Sequence, residues 1–218
     1  LVGSGFALIF RVVRFFHFTH GLTYSLGAYT TFALSAWLHV PIVQAIVISV
    51  IAAALAGLFL DVAVFAPVRA QGASALVSLL ASIGLYVVGQ NLLSITFGDA
   101  ARSIRPHAVV PGMQVLGARI TVFQLLIVVS ATSIITAVAI WLSWTRWGRQ
   151  TRAVADDREL AAIVGIPVQR TVRTVAMVGS ALGGLAGVLS ALDRDMVPTM
   201  GMNALLMGVV AMIVGGQN

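Results

Sequence analysis

Residues 146–173, RWGRQTRAVADDRELAAIVGIPVQRTVR, form the one long polar segment of an otherwise apolar chain. The segment contains six of the thirteen arginines and three of the seven acidic residues. The sequence on both sides of it is apolar for about 20 residues, the length at which an α-helix spans the hydrocarbon core of a bilayer. The segment therefore predicts a polar loop between two membrane-spanning helices, which we call the 146–173 loop.

A short helix is predicted inside the 146–173 loop. Asp156 stands three residues before Glu159, which is the spacing of a capping box, so the helix should begin at about Asp157. Gly165 predicts a left-handed C-cap and Pro167 a stop, and the helix is therefore expected to be about two turns long.

The predicted helix is amphipathic. Leu160, Ile163 and Val164 fall at positions i, i+3 and i+4, which places them on one face. This face has two interpretations. It lies on the protein's own membrane domain or in the lipid interface, or it docks into a groove on a soluble partner.

The composition places the chain among membrane proteins. Of the 218 residues, 59% are hydrophobic and 9% are charged, whereas soluble domains carry about 25% charged residues. The net charge of +6 comes from arginine without any lysine, and the clustering of arginine in loops favours a role in membrane topology over nucleic-acid binding. The absence of cysteine excludes disulfides and thiolate metal sites. Because the sequence begins without Met and stops in an apolar run, we expect the domain to be truncated at both ends.

The apolar runs predict an all-α, polytopic transmembrane domain that occupies the whole chain, 1–218. The strands of a β-barrel would alternate in polarity, and these runs do not. Complete spans are predicted at 21–38, 42–66, 74–97, 121–145 and 174–192. Two partial spans, 1–16 and 204–218, flank them.

The arginines predict the orientation of these spans. With the 146–173 loop in the cytoplasm, nine arginines lie on the cytoplasmic side and four lie outside, namely Arg102, Arg105, Arg119 and Arg194. This distribution follows the positive-inside rule. The long outer loop, 98–120, would cover the mouth of a pathway, meet an external partner or serve as a solvated connector.

Small residues mark one predicted span as a packing element. Gly179, Gly183 and Gly187 recur at four-residue steps, with Gly184 beside them. Such a stripe lets a second helix approach closely within a bilayer. We therefore predict helix packing at these four glycines.

Few residues suggest catalytic or metal chemistry. His17 and His20 have a spacing that can bind a metal on a helix, but no nearby carboxylate or cysteine completes a site, so no metal site is predicted. A P-loop requires lysine, which the chain lacks, and no protease constellation is recognisable. Asp61 stands about two turns before Arg69, which allows an ion pair near the membrane boundary. The chain is thus not predicted to be an enzyme.

Several stretches, taken in order, resemble one family. Residues 16–21, FHFTHG, followed by GAY at 27–29, are similar to the opening motif of the inner-membrane permeases of branched-chain amino acid ABC importers, the LivH type. DVAVFAPVR at 61–69 resembles a helix end of that family. The 146–173 loop, the glycine-rich helix and PTMG at 198–201 resemble its coupling region and the segment that follows.

This resemblance implies a function and a set of partners. It implies a permease subunit of an importer for branched-chain or related amino acids, in the bacterial inner membrane. The implied partners are a second permease subunit, cytoplasmic ATPase subunits that bind the ATP, and a periplasmic substrate-binding protein; no cofactor is expected on the chain itself. The short helix would be the coupling helix that docks in the ATPase. The coupling residues would be Asp156, Asp157, Arg158, Glu159, Leu160, Ile163, Val164 and Gly165.

Polar residues inside the predicted spans are candidates for the substrate pathway. Gln90 and Asn91 lie mid-way to late in a span, where an unpaired amide is costly and is expected to have a partner or a substrate. The predicted pathway residues are His20, Gly21, Tyr24, Tyr29, Gln90 and Asn91.

Other transport functions remain open at this point. An ion-coupled secondary transporter or channel usually needs charges within the membrane, and only Asp61 comes near that requirement. A permease for another small polar solute, such as urea or an amide, would share the same architecture. A scaffold for other membrane proteins would leave the capped helix and the amide pair without a role.

Overall fold

The computed structural model describes residues 1–104, 113–115 and 118–215. Most of them are helical, which confirms the predicted all-α class. The helices are α1 (Val2–Val13), α2 (Thr19–Phe32), α3 (Ile42–Leu60), α4 (Ala66–Ala70), α5 (Ala75–Phe97), α6 (Val122–Trp144), α7 (Arg146–Asp156), α8 (Arg158–Ile163), α9 (Val168–Asp193) and α10 (Met200–Val214). One π-helical turn, Ala33–Trp37, continues α2, and another, Asp61–Phe65, joins α3 to α4.

A small antiparallel hairpin interrupts the helical pattern within the predicted outer loop 98–120. Strand β1 (Met113–Val115) pairs with β2 (Ala118–Ile120), with Met113 opposite Ile120. Strands of three residues are too short to show an alternating pattern in sequence, so this hairpin is not predictable from periodicity.

Four helical segments of the described chain are long and apolar enough to cross a membrane. They are Ile42–Ala70, Ala75–Phe97, Gln124–Trp144 and Val168–Asp193. They coincide with four of the five predicted complete spans. The chain is therefore a multi-pass membrane protein, as predicted.

The remaining predicted span, 21–38, differs in kind from these four. It is helical from Thr19 to Trp37 but is not among the apolar segments. Most residues of α2 are buried, and α2 packs against α3, α5, α9 and α10. Its hydroxyls are satisfied locally, since Thr23 donates to the carbonyl of His20 at 2.9 Å and Thr31 to that of Gly27 at 2.9 Å. A helix enclosed by protein need not be apolar, which explains the difference.

The two predicted partial spans are both shorter apolar helices. They are α1 and α10, which pack against each other. The C-terminal prediction, 204–218, begins four residues after the observed start of α10 at Met200, and its residues 216–218 lie outside the described part of the chain.

The glycine stripe of α9 lies against α1, α2 and α3. A Cβ atom at Gly183 would lie 2.8 Å from the ring of His20, and one at Gly187 would overlap a backbone carbonyl of α2. Gly179 and Gly184 approach side chains of α1 and α3 as closely. The stripe therefore occupies the contacts at which α9 meets its neighbours.

One end of the bundle, which we call the loop end, holds α7 and α8. Helix α1 ends there and α9 begins there. A cluster of buried apolar side chains joins the four helices, and it includes Val12, Phe65, Val154, Ala161 and Val172. The cluster fixes the position of the 146–173 loop relative to the membrane helices.

Candidate functional site

The 146–173 loop is more helical than its sequence predicts. Helix α7 fills residues Arg146–Asp156, and the Thr145 hydroxyl caps it by accepting from the Gly148 N–H at 3.1 Å. Its buried face includes Thr151 and Val154. The many arginines of α7 make its sequence look like a polar loop, although Thr145 could have indicated an N-cap.

The N-cap of α8 is one residue later than predicted. Asp157 is the cap, since its Oδ1 accepts from the N–H of Glu159 at 2.8 Å and of Leu160 at 3.0 Å. The predicted capping box between Asp156 and Glu159 is therefore wrong. Asp156 is the last residue of α7, and a residue that ends one helix is not in the extended conformation that an N-cap requires.

The C-terminus of α8 has the predicted left-handed cap. Gly165 has φ +84°. Its N–H donates to the carbonyl of Ala162 at 3.0 Å, and the N–H of Ile166 donates to the carbonyl of Ala161 at 2.9 Å, the pair of bonds of a Schellman motif. Pro167 follows, and α9 begins directly after it. Helix α8 is thus a short element with both ends fixed.

The apolar face of α8 points away from the protein. Leu160 is 58% exposed, Ile163 81% and Val164 65%. Ala161, on another side of the helix, is buried in the loop-end cluster with Val154. The interpretation in which the three apolar residues lie on the protein's own membrane domain is therefore wrong, which leaves the lipid interface or a partner.

Arginines fasten the loop to the membrane helices. The guanidinium of Arg158, the first residue of α8, donates to the carbonyl oxygen of Val12 near the end of α1. Arg14 donates to the carbonyl oxygen of Ala155 near the end of α7. Burial lowers the pKa of Arg158, and the nearby charges of Arg69 and Arg14 lower it further. These contacts join the start of α8 and the end of α7 to the end of α1.

The predicted ion pair between Asp61 and Arg69 is present. Arg69 Nη2 lies 2.8 Å from Asp61 Oδ1, with both side chains largely buried. Asp61 begins the π-helical turn, and such turns occur frequently at functional sites. The ion pair lies at the loop end of the Ile42–Ala70 segment.

Three of the predicted pathway residues lie deep in the bundle. The ring of His20 is fully buried, with Nε2 3.2 Å from the carbonyl oxygen of Val2. Gly21 packs against Gly201 of α10. Tyr29 is fully buried with its ring 4.8 Å from that of Phe97. These three residues lie on different sides of α2 and do not face a common space.

Tyr24, another predicted pathway residue, borders a cavity. The cavity measures about 370 Å³ and lies between α1, α2, α6 and α9. Ser190 of α9 lines the cavity together with Tyr24. The lining also includes Asp193, Arg194 and apolar residues such as Ile127. The cavity thus combines both signs of charge with an apolar wall.

Gln90 and Asn91 lie on a different helix from the other predicted pathway residues, which are all on α2. Both are on α5, and the Asn91 side chain is exposed and donates to the carbonyl of Val87 at 2.8 Å in its own helix. The structure of the single chain does not bring these amides to the cavity beside Tyr24.

The connection between α1 and α2 contains polar contacts that the sequence did not reveal. It is not helical, yet Ser82 of α5 accepts from the N–H of Phe18 at 3.2 Å and lies 3.2 Å from the carbonyl oxygen of Phe16. His17 Nε2 lies 2.6 Å from the Thr19 hydroxyl. Irregular backbone at membrane depth is tolerated where protein surrounds it. In the sequence, Ser78 and Ser82, four residues apart on one face of α5, are the feature that could have indicated these polar contacts.

A comparison with known families adds to this geometry. The family described as branched-chain amino acid transport system, permease component, matches residues 1–218. The chain belongs to this family. The permease has no match among solved structures.

Curated relatives of the permease are similar over nearly its whole length. The high-affinity branched-chain amino acid transport system permease protein LivH of Escherichia coli is 27% identical over 233 residues, covering 99% of this chain and 74% of the relative. LivH of Salmonella typhimurium is 26% identical with the same coverage. The permease protein BraD of Pseudomonas aeruginosa is 25% identical over 231 residues, with 99% and 74% coverage.

Proposed function

We propose that this chain is the membrane subunit of an ABC importer that carries branched-chain or related amino acids, driven by ATP hydrolysis on separate subunits. Membership of the permease family supports the transport role. The observation that carries the coupling role is the exposed face of Leu160, Ile163 and Val164 on a helix whose two ends are fixed. An apolar face of this kind is suited to a groove on a partner.

Helix α8 is arranged to transmit movement. Ala161 anchors its inner side in the loop-end cluster, and Arg158 bonds it to the end of α1. Four residues separate it from α9, which begins at Val168. A displacement of α8 by an ATPase subunit would therefore move α1 and α9 as a body, a rigid-body switch between two packed arrangements.

The cavity beside Tyr24 suits a zwitterion with an apolar side chain. An amino acid needs an anionic partner for its ammonium and a cationic partner for its carboxylate, which Asp193 and Arg194 offer together with the Ser190 hydroxyl. The apolar part of the wall, which includes Ile127 and Ala186, would accept the side chain. With the 146–173 loop in the cytoplasm, this cavity would lie toward the outer side.

The proposal includes the rest of the assembly. A second permease subunit, ATPase subunits that bind the ATP, and a periplasmic binding protein would complete the importer in the bacterial inner membrane. His20, Gly21, Tyr29, Gln90 and Asn91 would belong to the pathway of the paired permeases, with the exposed Asn91 amide of α5 facing the second subunit.

Ion-coupled transport is the alternative, and the geometry of Asp61 argues against it. Coupling to an ion gradient needs a carboxylate that can be released from its partner within the membrane. Asp61 is instead paired with Arg69 at 2.8 Å at the loop end.

Uptake by the assembled importer in proteoliposomes tests the proposal. We expect uptake of labelled leucine to require ATP on the side of the membrane that carries the ATPase subunits, and to persist in the presence of a proton ionophore. Isoleucine and valine should inhibit this uptake, and urea should not. Uptake that proceeds without ATP and is abolished by the ionophore would refute the ABC assignment. Inhibition by urea instead of valine would refute the substrate class.

A further inference from the structure

A second pocket, of about 520 Å³, opens at the loop end of the bundle. It lies between the last turns of the Ile42–Ala70 segment, the start of α8 and the first turns of α9. Three arginines line it, one from each element: Arg69, Arg158 and Arg173. We call it the arginine pocket.

The arginine pocket carries an excess of positive charge. None of the described residues that line it is a carboxylate. Asp61, which pairs with Arg69, offsets one of the three guanidinium charges. Within the described residues, Arg158 Nε, Arg173 Nε and Arg69 Nη1 are buried without a hydrogen-bond partner. Unpaired buried donors are costly, so the pocket is suited to an anion with several acceptor oxygens.

The position of the pocket indicates where that anion comes from. Two membrane-crossing segments end at it, Ile42–Ala70 and Val168–Asp193, so it lies at the boundary between bilayer and water. Its outer wall is apolar, with Val62 43% exposed and Pro67 exposed beside it. A free phosphate would use the arginines alone, whereas a phospholipid would place its headgroup on the arginines and its acyl chains along this wall.

We propose that the arginine pocket binds the phosphate of an anionic phospholipid. The planar guanidinium fork matches a phosphate in bidentate geometry. Basic pockets between membrane helices, on the side rich in arginine, bind anionic headgroups by the same chemistry. A bound headgroup would contact α4, α8 and α9 together and would hold α8 against the membrane helices.

Lipid binding to the purified importer complex in detergent tests the proposal. The variant is Arg173→Gln, because Arg173 belongs neither to the Asp61 ion pair nor to α8. The matched control is Arg170→Gln, which removes an exposed arginine of the same helix that does not line the pocket. The probes are dioleoylphosphatidylglycerol and dioleoylphosphatidylcholine, and binding is titrated by native mass spectrometry and by the rise in Tm.

We expect phosphatidylglycerol to bind more tightly than phosphatidylcholine, and Arg173→Gln to weaken it about fivefold, the equivalent of about 1 kcal/mol per basic side chain. Arg170→Gln should change it less than twofold. The lipid-free Tm of Arg173→Gln should be no lower than that of the wild type, because the substitution removes an unpaired buried donor, and this separates lost binding from lost folding.

Four results would overturn the proposal. Equal binding of the two lipids, or equal losses in both variants, would mean that the pocket does not select the headgroup. An equal rise in Tm with inorganic phosphate at the same concentration would assign the pocket to a soluble anion. Reduced ATPase co-purification in Arg173→Gln with unchanged phosphatidylglycerol binding would assign it to the partner protein.

Discussion

Replacing Ile163 by aspartate tests whether the exposed face of α8 binds an ATPase subunit. Ile163 is 81% exposed in the free chain. Complete burial of such a side chain contributes about 1.5–3 kcal/mol, so burying its exposed part would contribute about 1.2–2.4 kcal/mol. Because about 1.4 kcal/mol corresponds to a factor of ten, loss of this contact alone weakens association about 7- to 50-fold. A carboxylate buried without a counter-ion adds to that loss.

The assay compares co-purification of the ATPase with the amount of permease in the membrane. Ile163 is not part of the loop-end cluster. If its face docks on the ATPase, the abundance of the Ile163→Asp variant should match that of the wild type, while co-purification, substrate-stimulated ATP hydrolysis and uptake fall together. Ala162→Asp is the matched control. Ala162 is also exposed, and at about 100° per residue it lies about 100° from Ile163 and about 160° from Leu160 and Val164, away from the centre of the apolar face, so the same charge there should be tolerated.

Two outcomes would refute the coupling role of α8. Normal co-purification of the Ile163→Asp variant would show that its side chain does not enter a groove. Reduced abundance of that variant, with normal transport by the fraction that assembles, would show that the face rests in the lipid interface instead.

Three further substitutions test other parts of the structure. Gly187→Ala should lower Tm and membrane abundance, because its Cβ would overlap a carbonyl of α2. The control Gly84→Ala should be neutral or stabilising, because nothing lies within 4 Å of its added Cβ. Equal changes in Tm for the two variants would refute the packing role of Gly187. Asp61→Asn should destabilise by about 3–5 kcal/mol by leaving the Arg69 charge buried and unpaired. Adding Arg69→Gln should recover part of that loss, and a purely additive double mutant would show that the pair is not coupled. Asn91→Leu should lower uptake at unchanged abundance if α5 lines the pathway with a second subunit, and wild-type kinetics would remove Asn91 from it.

The membrane spans at the periphery of the bundle are predictable because contact with lipid alone determines their composition. No described side chain of α6 between Gln124 and Trp144 is buried, and the exposed side chains of α5 are mostly large and apolar. A helix in contact with lipid must be apolar over its length, so hydropathy alone identifies it. The same argument fails for α2, whose surroundings are protein and whose composition is set by contacts with other helices.

The sequence predicts the end of α8 in the 146–173 loop correctly but not the start of α8. Gly165 identifies the end of α8 because the left-handed conformation strongly favours glycine. Its start is ambiguous, because Asp156 and Asp157 are both good caps and the choice depends on where α7 ends. The end of α7 is in turn set by burial of Val154 in a cluster formed by distant segments.

The pathway residues could not be grouped from sequence because their placement depends on tertiary contacts. Tyr24 reaches a cavity through the packing of α2 on α9, and Ser190 and Arg194, which share that cavity, lie about 170 residues away along the chain. Asn91 has the polarity of a pathway residue but bonds to its own helix.

The polar composition of α2 has a consequence for the synthesis of the protein. A helix such as Thr19–Trp37, too polar to favour lipid by itself, is costly to leave in the bilayer alone. Its longest neighbour, α9, emerges from the ribosome only after Val168 has been translated, so α2 must wait beside α3 or within the insertion machinery until most of the chain exists. Nascent chains halted before α9 would therefore hold a poorly shielded polar helix, and they should be recognised by membrane quality-control proteases far sooner than chains that extend past Asp193.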